Sequence, residues 1–153
     1  MAIRRSPRLA SFDYRGQHAY FLTFVTAERR PAFRSPALVD SVAEALRSSA
    51  QKYDFRIHAY CFMPDHLHLL VSGGEDSPLE NFARHVKQMT GFAHKRTTGR
   101  RLWQPSYWDR VMRMEDDLLD VAEYIWANPV RAGLVASWRE YPFSGPRPLP
   151  NLI

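Results

Sequence analysis

A single cysteine, Cys61, occurs among 153 residues. That excludes a disulfide framework and leads us to expect a reducing, cytoplasmic setting. No apolar run approaches the roughly 20 residues of a membrane-spanning helix, so no membrane association is expected. The first residues are charged and lack the apolar core and small-residue cleavage site of a signal peptide. Internal repeats and linker-like stretches are also missing, so we expect one domain over 1–153, with a basic arm at 1–17 and a proline-rich tail at 142–153. With 45% hydrophobic residues, a chain of this length can bury a core without metal or disulfide staples.

Acidic residues are absent between Glu80 and Asp109, whereas the chain as a whole carries a net charge of +5. Arg84, Lys87, Lys95, Arg96, Arg100 and Arg101 fall in that gap. Arg4, Arg5, Arg8 and Arg15 cluster ahead of the first expected strand, and Arg29, Arg30 and Arg34 follow it. Tyr14, Trp103, Tyr107 and Trp108 stand beside these cations. Cations hold phosphates and aromatic faces stack on unpaired bases, so the mixture suits single-stranded or structured nucleic acid. It equally suits a solvated basic face over an aromatic core, and charge alone leaves both readings open.

Residues 19–26 are rich in aromatic and branched side chains and predict a strand. Ser35-Pro36 supplies an N-cap and a first-position proline, and Leu38, Val39, Val42 and Leu46 continue at helical spacing to about residue 51. Residues 55–62 and 66–71 predict a hairpin turned at Pro64-Asp65. The run SPLE over 77–80 predicts a capping box for a second helix whose buried stripe is Leu79, Phe82, Val86, Met89 and Ala93. A basic loop is expected at 97–101 and a short strand within 106–114. A third helix begins with Glu115, Asp116 and Asp117, buries Leu118, Val121, Ala122 and Ile125, and ends near Asn128 because of Pro129. The order β-α-β-β-α-β-α gives an α+β fold, a ferredoxin-like or RRM-like split βαβ sandwich with an antiparallel sheet and an added C-terminal helix.

His66 and His68 are two apart on one expected strand, so both imidazoles point to one face while Leu67 and Leu69 point to the other. Two such imidazoles can chelate a divalent metal, although ordinary strand histidines have the same spacing. On the third helix Tyr124 falls about 110° from the apolar centre, counting roughly 100° per residue, with Asp120 and Asn128 at i−4 and i+4. These parts make a mechanism. A metal polarises a phosphodiester, the tyrosine oxygen attacks in line, and a covalent phosphotyrosine conserves the energy of the broken bond. Asn128 offers a carbonyl oxygen as a third ligand.

The run YCFMPDHLHLLV over 60–71 resembles the His-hydrophobic-His strand of the HUH single-tyrosine transposases. LWQPSYWD over 102–109 and YIWANPVRAGLV over 124–135 resemble later signatures of their REP-associated branch. The resemblance covers about 8–143. It implies magnesium or manganese as cofactor and single-stranded DNA with a hairpin as substrate. It also implies His66 and His68 as metal ligands, Tyr124 as nucleophile forming a 5′-phosphotyrosine, and Asn128 as a polar third ligand. Trp126-Ala127 departs from the usual polar-Leu pair, with an effect expected on packing. Both monomers and homodimers occur among such proteins, and a swapped tyrosine helix would make the site composite.

The alternative is a non-catalytic RRM-like nucleic-acid-binding module, which accounts for charge, fold and aromatics but not for His66, His68 and Tyr124 together. A histidine-triad hydrolase would want another histidine where Leu70 stands, and a zinc hydrolase would want a third ligand nearby. Cys61 fits a buried small hydrophobe and His58 a satisfied strand histidine. His18, His85 and His94 fit surface or phosphate-facing positions. Asp65 fits either a turn residue or a partner that orients His66.

Overall fold

The computed structural model describes residues 18–74, 76–112 and 118–146. Strands β1 (Ala19–Val25), β2 (Phe55–Met63), β3 (His66–Gly73), β4 (Trp108–Val111) and β5 (Ser144–Gly145) form one sheet in the order β4-β1-β3-β2-β5. All four pairings are antiparallel. Helices α1 (Pro36–Tyr53) and α2 (Leu79–Thr98) intervene as the β-α-β-β-α-β order requires, followed by α3 (Leu118–Trp126) and the single turn α4 (Asn128–Arg131). Among the described residues no helix is long and apolar enough to cross a membrane.

The two-residue period of β3 divides the core. Leu67, Leu69 and Val71 join Tyr20, Leu22 and Phe24 of β1 beneath α1 and α2, which contribute Val42, Leu46, Phe82 and Val86. Leu70 points the other way, with Ala59, Cys61 and Met63 of β2, and meets Ala122, Ile125 and Trp126 of α3. Helices therefore pack on both faces, and α3 lies on the face that carries His66 and His68.

Helix ends follow local chemistry. Ser35 Oγ accepts from the Leu38 amide at 3.2 Å ahead of Pro36, and Asp54 closes α1 in the left-handed region at φ 58°. Helix α2 runs on through Thr98 to Gly99 at φ 75°, so the expected loop at 97–101 starts two residues late, with 97 and 98 in the helix. The expected capping box does not form. Ser77 Oγ instead accepts from the Gly74 amide and donates to the Asp54 carbonyl, both at 2.7 Å, leaving Pro78 at the N-cap. Met89 and Ala93 are exposed, and the buried stripe ends at Thr90. Pro129 breaks the third helix as expected, but one further helical turn resumes behind it, with the Arg131 amide bonded to the Ala127 carbonyl at 3.0 Å. The stretch 115–117 lies outside the described residues.

The proline-rich tail joins the sheet over its described part. Ser144 and Gly145 pair with Cys61 and Tyr60, and the Phe62 amide donates to the Phe143 carbonyl at 2.8 Å. Tyr141 is buried with its hydroxyl on the Phe62 carbonyl. Trp126, fully buried, donates from Nε1 to the Gly145 carbonyl at 2.7 Å. Thus the indole of Trp126 locks α3 to the strand that closes the sheet edge. Gly145 permits that closure, because a Cβ there would meet the Tyr60 hydroxyl oxygen at 2.6 Å.

Candidate active site

On β3, the rings of His66 and His68 lie 4.6 Å apart on one face of the sheet. Each has its Nδ1 engaged. His66 Nδ1 lies 2.7 Å from Asp65 Oδ1, and His68 Nδ1 lies 2.9 Å from Thr23 Oγ1 on β1, where Thr23 is the registered partner of His68. A carboxylate beside Nδ1 draws the proton there and leaves the Nε2 lone pair of His66 free. Burial, reinforced by His66 and Arg131, pushes His68 down to about 3, so its imidazole is neutral at pH 7, the form that binds metals. Burial works to raise Asp65, but bonds from His66 and Arg29 outweigh it and hold the carboxyl below its ordinary value. Arg29 reaches Asp65 at 3.0 Å.

Tyr124 is 55% exposed on α3, off the helix's core face. Phe21 of β1 links it to the histidines, since its ring lies 5.4 Å from His68 and 6.3 Å from Tyr124. The guanidinium of Arg131 lies over the Tyr124 ring at 3.9 Å. Asn128 is half-buried at the start of α4, and Asp120 is exposed one turn before Tyr124. Strand pairing puts Cys61 beside His68, but burial drives its thiol up to about 12, which keeps it a protonated packing group.

The structure separates the expected DNA-binding cations. Arg4, Arg5, Arg8 and Arg15 lie outside the described residues, as does Tyr14. Arg84, Lys87, Lys95 and Arg96 ride on α2, across the sheet from Tyr124. The segment that follows α2 nevertheless meets the end of β1, where Val25 is the registered partner of His66. The Ala27 amide bonds the Leu102 carbonyl at 2.8 Å, the Gln104 amide bonds the Val25 carbonyl at 2.9 Å, and the Thr26 amide bonds the Asp65 carbonyl at 3.0 Å. Lys95, Arg96, Arg100 and Arg101 are exposed there. Lys87 is anchored on the Gln104 and Ser106 carbonyls at 2.7 and 2.8 Å and ties α2 to that segment.

Trp103, read from sequence as a base-stacking candidate, is core. It is 4% exposed, and its Nε1 donates to Thr90 Oγ1 at 2.8 Å. Tyr107 packs edge-on against Phe24. The aromatic exposed beside the basic residues is Phe92, at 68%, next to a cavity of about 420 Å³ lined also by Lys95 and Arg101. Sequence reasoning missed Phe92, Thr23, Phe21 and Arg131. Thr23 was findable by aligning β1 against β3, whereas Arg131 required the turn at Pro129. His58 and His85 have hydroxyl partners, Ser72 and Ser49, each at 2.7 Å.

An antiparallel sheet with a His-Leu-His strand and a tyrosine-bearing helix on one face is the layout of a HUH-type tyrosine transposase, an enzyme that acts on DNA. The chain belongs to the IS200-like transposase family, whose model matches residues 15–128 and so spans both histidines, Tyr124 and Asn128. It is 31% identical over 92 residues to the REP-associated tyrosine transposase of Escherichia coli strain K12, covering 59% of this chain and 53% of that protein. A Haemophilus influenzae protein provisionally named as a REP-associated tyrosine transposase is 27% identical over 146 residues, covering 86% of this chain and 81% of the relative. The fold is similar to that of a REP-associated tyrosine transposase solved bound to a REP hairpin. The TM-score is 0.74 at 23% identity, over 93% of this chain and 82% of that one.

Members of this family are generally metal-dependent. Among the described residues no group of three or more His, Cys, Asp or Glu side chains converges. The donors present still fit a divalent ion bound with open positions. Two neighbouring imidazoles have Nδ1 tied back, and one of them, His68, is held neutral by burial.

Proposed function

We propose that this chain nicks and rejoins single-stranded DNA at hairpin structures, with Tyr124 as the nucleophile. One observation carries the reading: α3 packs on the sheet face of His66 and His68, and Phe21 touches the rings of both His68 and Tyr124. The Tyr124 oxygen attacks the scissile phosphorus, and the bond from phosphorus to the 3′ oxygen breaks. The phenolic proton ends on the released 3′ hydroxyl, and the 5′ phosphate remains on the tyrosine. Attack by another 3′ hydroxyl reverses the step and joins a new end. His66, His68 and Asn128 would hold a magnesium or manganese ion, which when bound offsets the charge that develops on the phosphate. Asp65 and Thr23 hold the two imidazoles in orientation.

Hairpin DNA is supported by the relative in fold, which was solved with a REP hairpin. It is also supported by the exposed cations Lys95, Arg96, Arg100 and Arg101 at the end of α2 and in the segment that leads from it to β1. Phe92 adds a ring on which an unpaired base can stack.

A labelled single-stranded hairpin library with magnesium or manganese tests this. A covalent protein–DNA adduct that needs metal and disappears in Tyr124→Phe is the expected result. Hairpin binding without an adduct in either metal would reduce the chain to a binding module and return the histidines to structural roles.

A further inference from the structure

Arg131 closes one end of the tyrosine helix. It sits on α4, beyond Pro129, and its Nη2 donates to the Tyr124 carbonyl at 2.7 Å. That bond satisfies one of the carbonyls a helix leaves open at its C-terminus. A capping role would be complete there, yet the guanidinium also lies over the Tyr124 ring, 3.9 Å from its centre. The ring it covers is linked to the histidine strand through Phe21, whose own ring lies 6.3 Å from that of Tyr124 and 5.4 Å from that of His68. The cation thus stands over the ring of the tyrosine on the helix that packs against the histidine face. Among the described residues no carboxylate pairs with it, and the residue is exposed. One bond engages one of five guanidinium donors, and the rest are available to an oxyanion.

We propose that Arg131 is a catalytic residue of this chain, holding the Tyr124 ring in place while donating to a non-bridging oxygen of the phosphate that Tyr124 attacks. The inference rests on the assignment of Tyr124 as nucleophile. A planar fork can stack on an aromatic face and bind a phosphate at once, which an ammonium group cannot do equally well. Charge on the non-bridging oxygens grows as the tyrosine oxygen bonds to phosphorus. A fixed donor aimed at them therefore acts mainly on the rate and little on the affinity.

The test uses the hairpin on which the native chain forms its adduct, made with a phosphodiester or with a methylphosphonate at the cleaved linkage. The methylphosphonate carries no charge on that phosphorus. On the phosphodiester, Arg131→Gln should slow single-turnover adduct formation about 100-fold. DNA affinity should shift by less than about threefold, and Arg131→Lys should recover part of the rate. On the methylphosphonate, native chain and Arg131→Gln should differ by less than about threefold, because the charge that Arg131 meets is gone. Should Arg131→Gln not fold, Arg131→Lys is compared on the two linkages in its place, and its smaller penalty should likewise vanish on the neutral one. A rate within threefold of native on the phosphodiester, or an equal loss on both linkages, would overturn the proposal. A native adduct that survives in Tyr124→Phe, or no adduct on any hairpin, would instead overturn the assignment of the nucleophile and take this inference with it.

Discussion

Thr23 and His68 are paired across neighbouring strands, with Thr23 Oγ1 2.9 Å from His68 Nδ1. The hydroxyl is buried at 3% exposure and fixes the plane of an imidazole that has no carboxylate of its own. Thr23→Val keeps the shape and removes the partner. We expect metal-dependent adduct formation to fall about 10- to 100-fold. Stability should fall by about 1–2 kcal/mol, because a buried ring nitrogen is left without a bond. Urea unfolding and adduct kinetics on one preparation check both. Unchanged kinetics would show that the hydroxyl plays no part in orienting His68.

His68 also predicts an acid limb in stability. Its folded pKa, about 3, lies below the ordinary histidine value near 6.5. The unfolded chain therefore binds the proton first. The contribution is fully present above about pH 6.5 and is lost progressively as pH falls toward 3, with a slope of at most about 1.4 kcal/mol per pH unit from this group. Unfolding of metal-free protein at pH 7, 5.5 and 4.5 should show that slope, and His68→Gln should flatten it. An equally steep fall in the variant would assign the limb to other groups, Asp65 among them.

Trp126 is the packing consequence of a sequence departure. Trp126→Phe leaves the Gly145 carbonyl without its donor and opens space between α3 and β2. A cost of about 2–4 kcal/mol is expected. Because α3 carries Tyr124, adduct formation should fall as well, beyond what the lowered stability explains at a temperature where the variant is folded. Full activity in a folded variant would mean that the latch does not hold the tyrosine helix.

The basic residues of α2 and of the segment after it divide into two kinds. Lys95→Gln with Arg101→Gln should leave the melting temperature alone and reduce the salt slope of single-stranded DNA binding by roughly 0.7 for each phosphate no longer neutralised. Lys87→Met should do the reverse, lowering stability through the Gln104 and Ser106 carbonyls while leaving the salt slope intact. If both variants changed the slope equally, the inward placement of Lys87 would not describe its behaviour in solution.

Much of this was legible in the residues. Period-two alternation in β3 put the histidines on one face and Leu67 and Leu69 on the other, and helical phase took Tyr124 off its core stripe. Local patterns failed where a long-range partner decides the outcome. Ser77 chose the Asp54 carbonyl over the helix it precedes. Charge left Trp103 and Tyr107 open between base stacking and the core, and Phe24 and Thr90 claim them for the core. Residues 144–145 are too short to show a period, and their strand exists only through β2. Arg131 meets Tyr124 because the chain turns again after Pro129, which no spacing rule anticipates.

Strand β2 is nine residues long, rich in apolar side chains, and would be an open border of the sheet without the segment at 143–145. Unpaired borders of that kind recruit other chains. Here the half near the histidines is covered by the tail. The other half carries a bulge between Ile57 and Ala59 and the exposed Arg56, two devices that discourage strand addition. A chain cut before Tyr141 would therefore reveal its damage first as self-association, with soluble oligomers growing along β2.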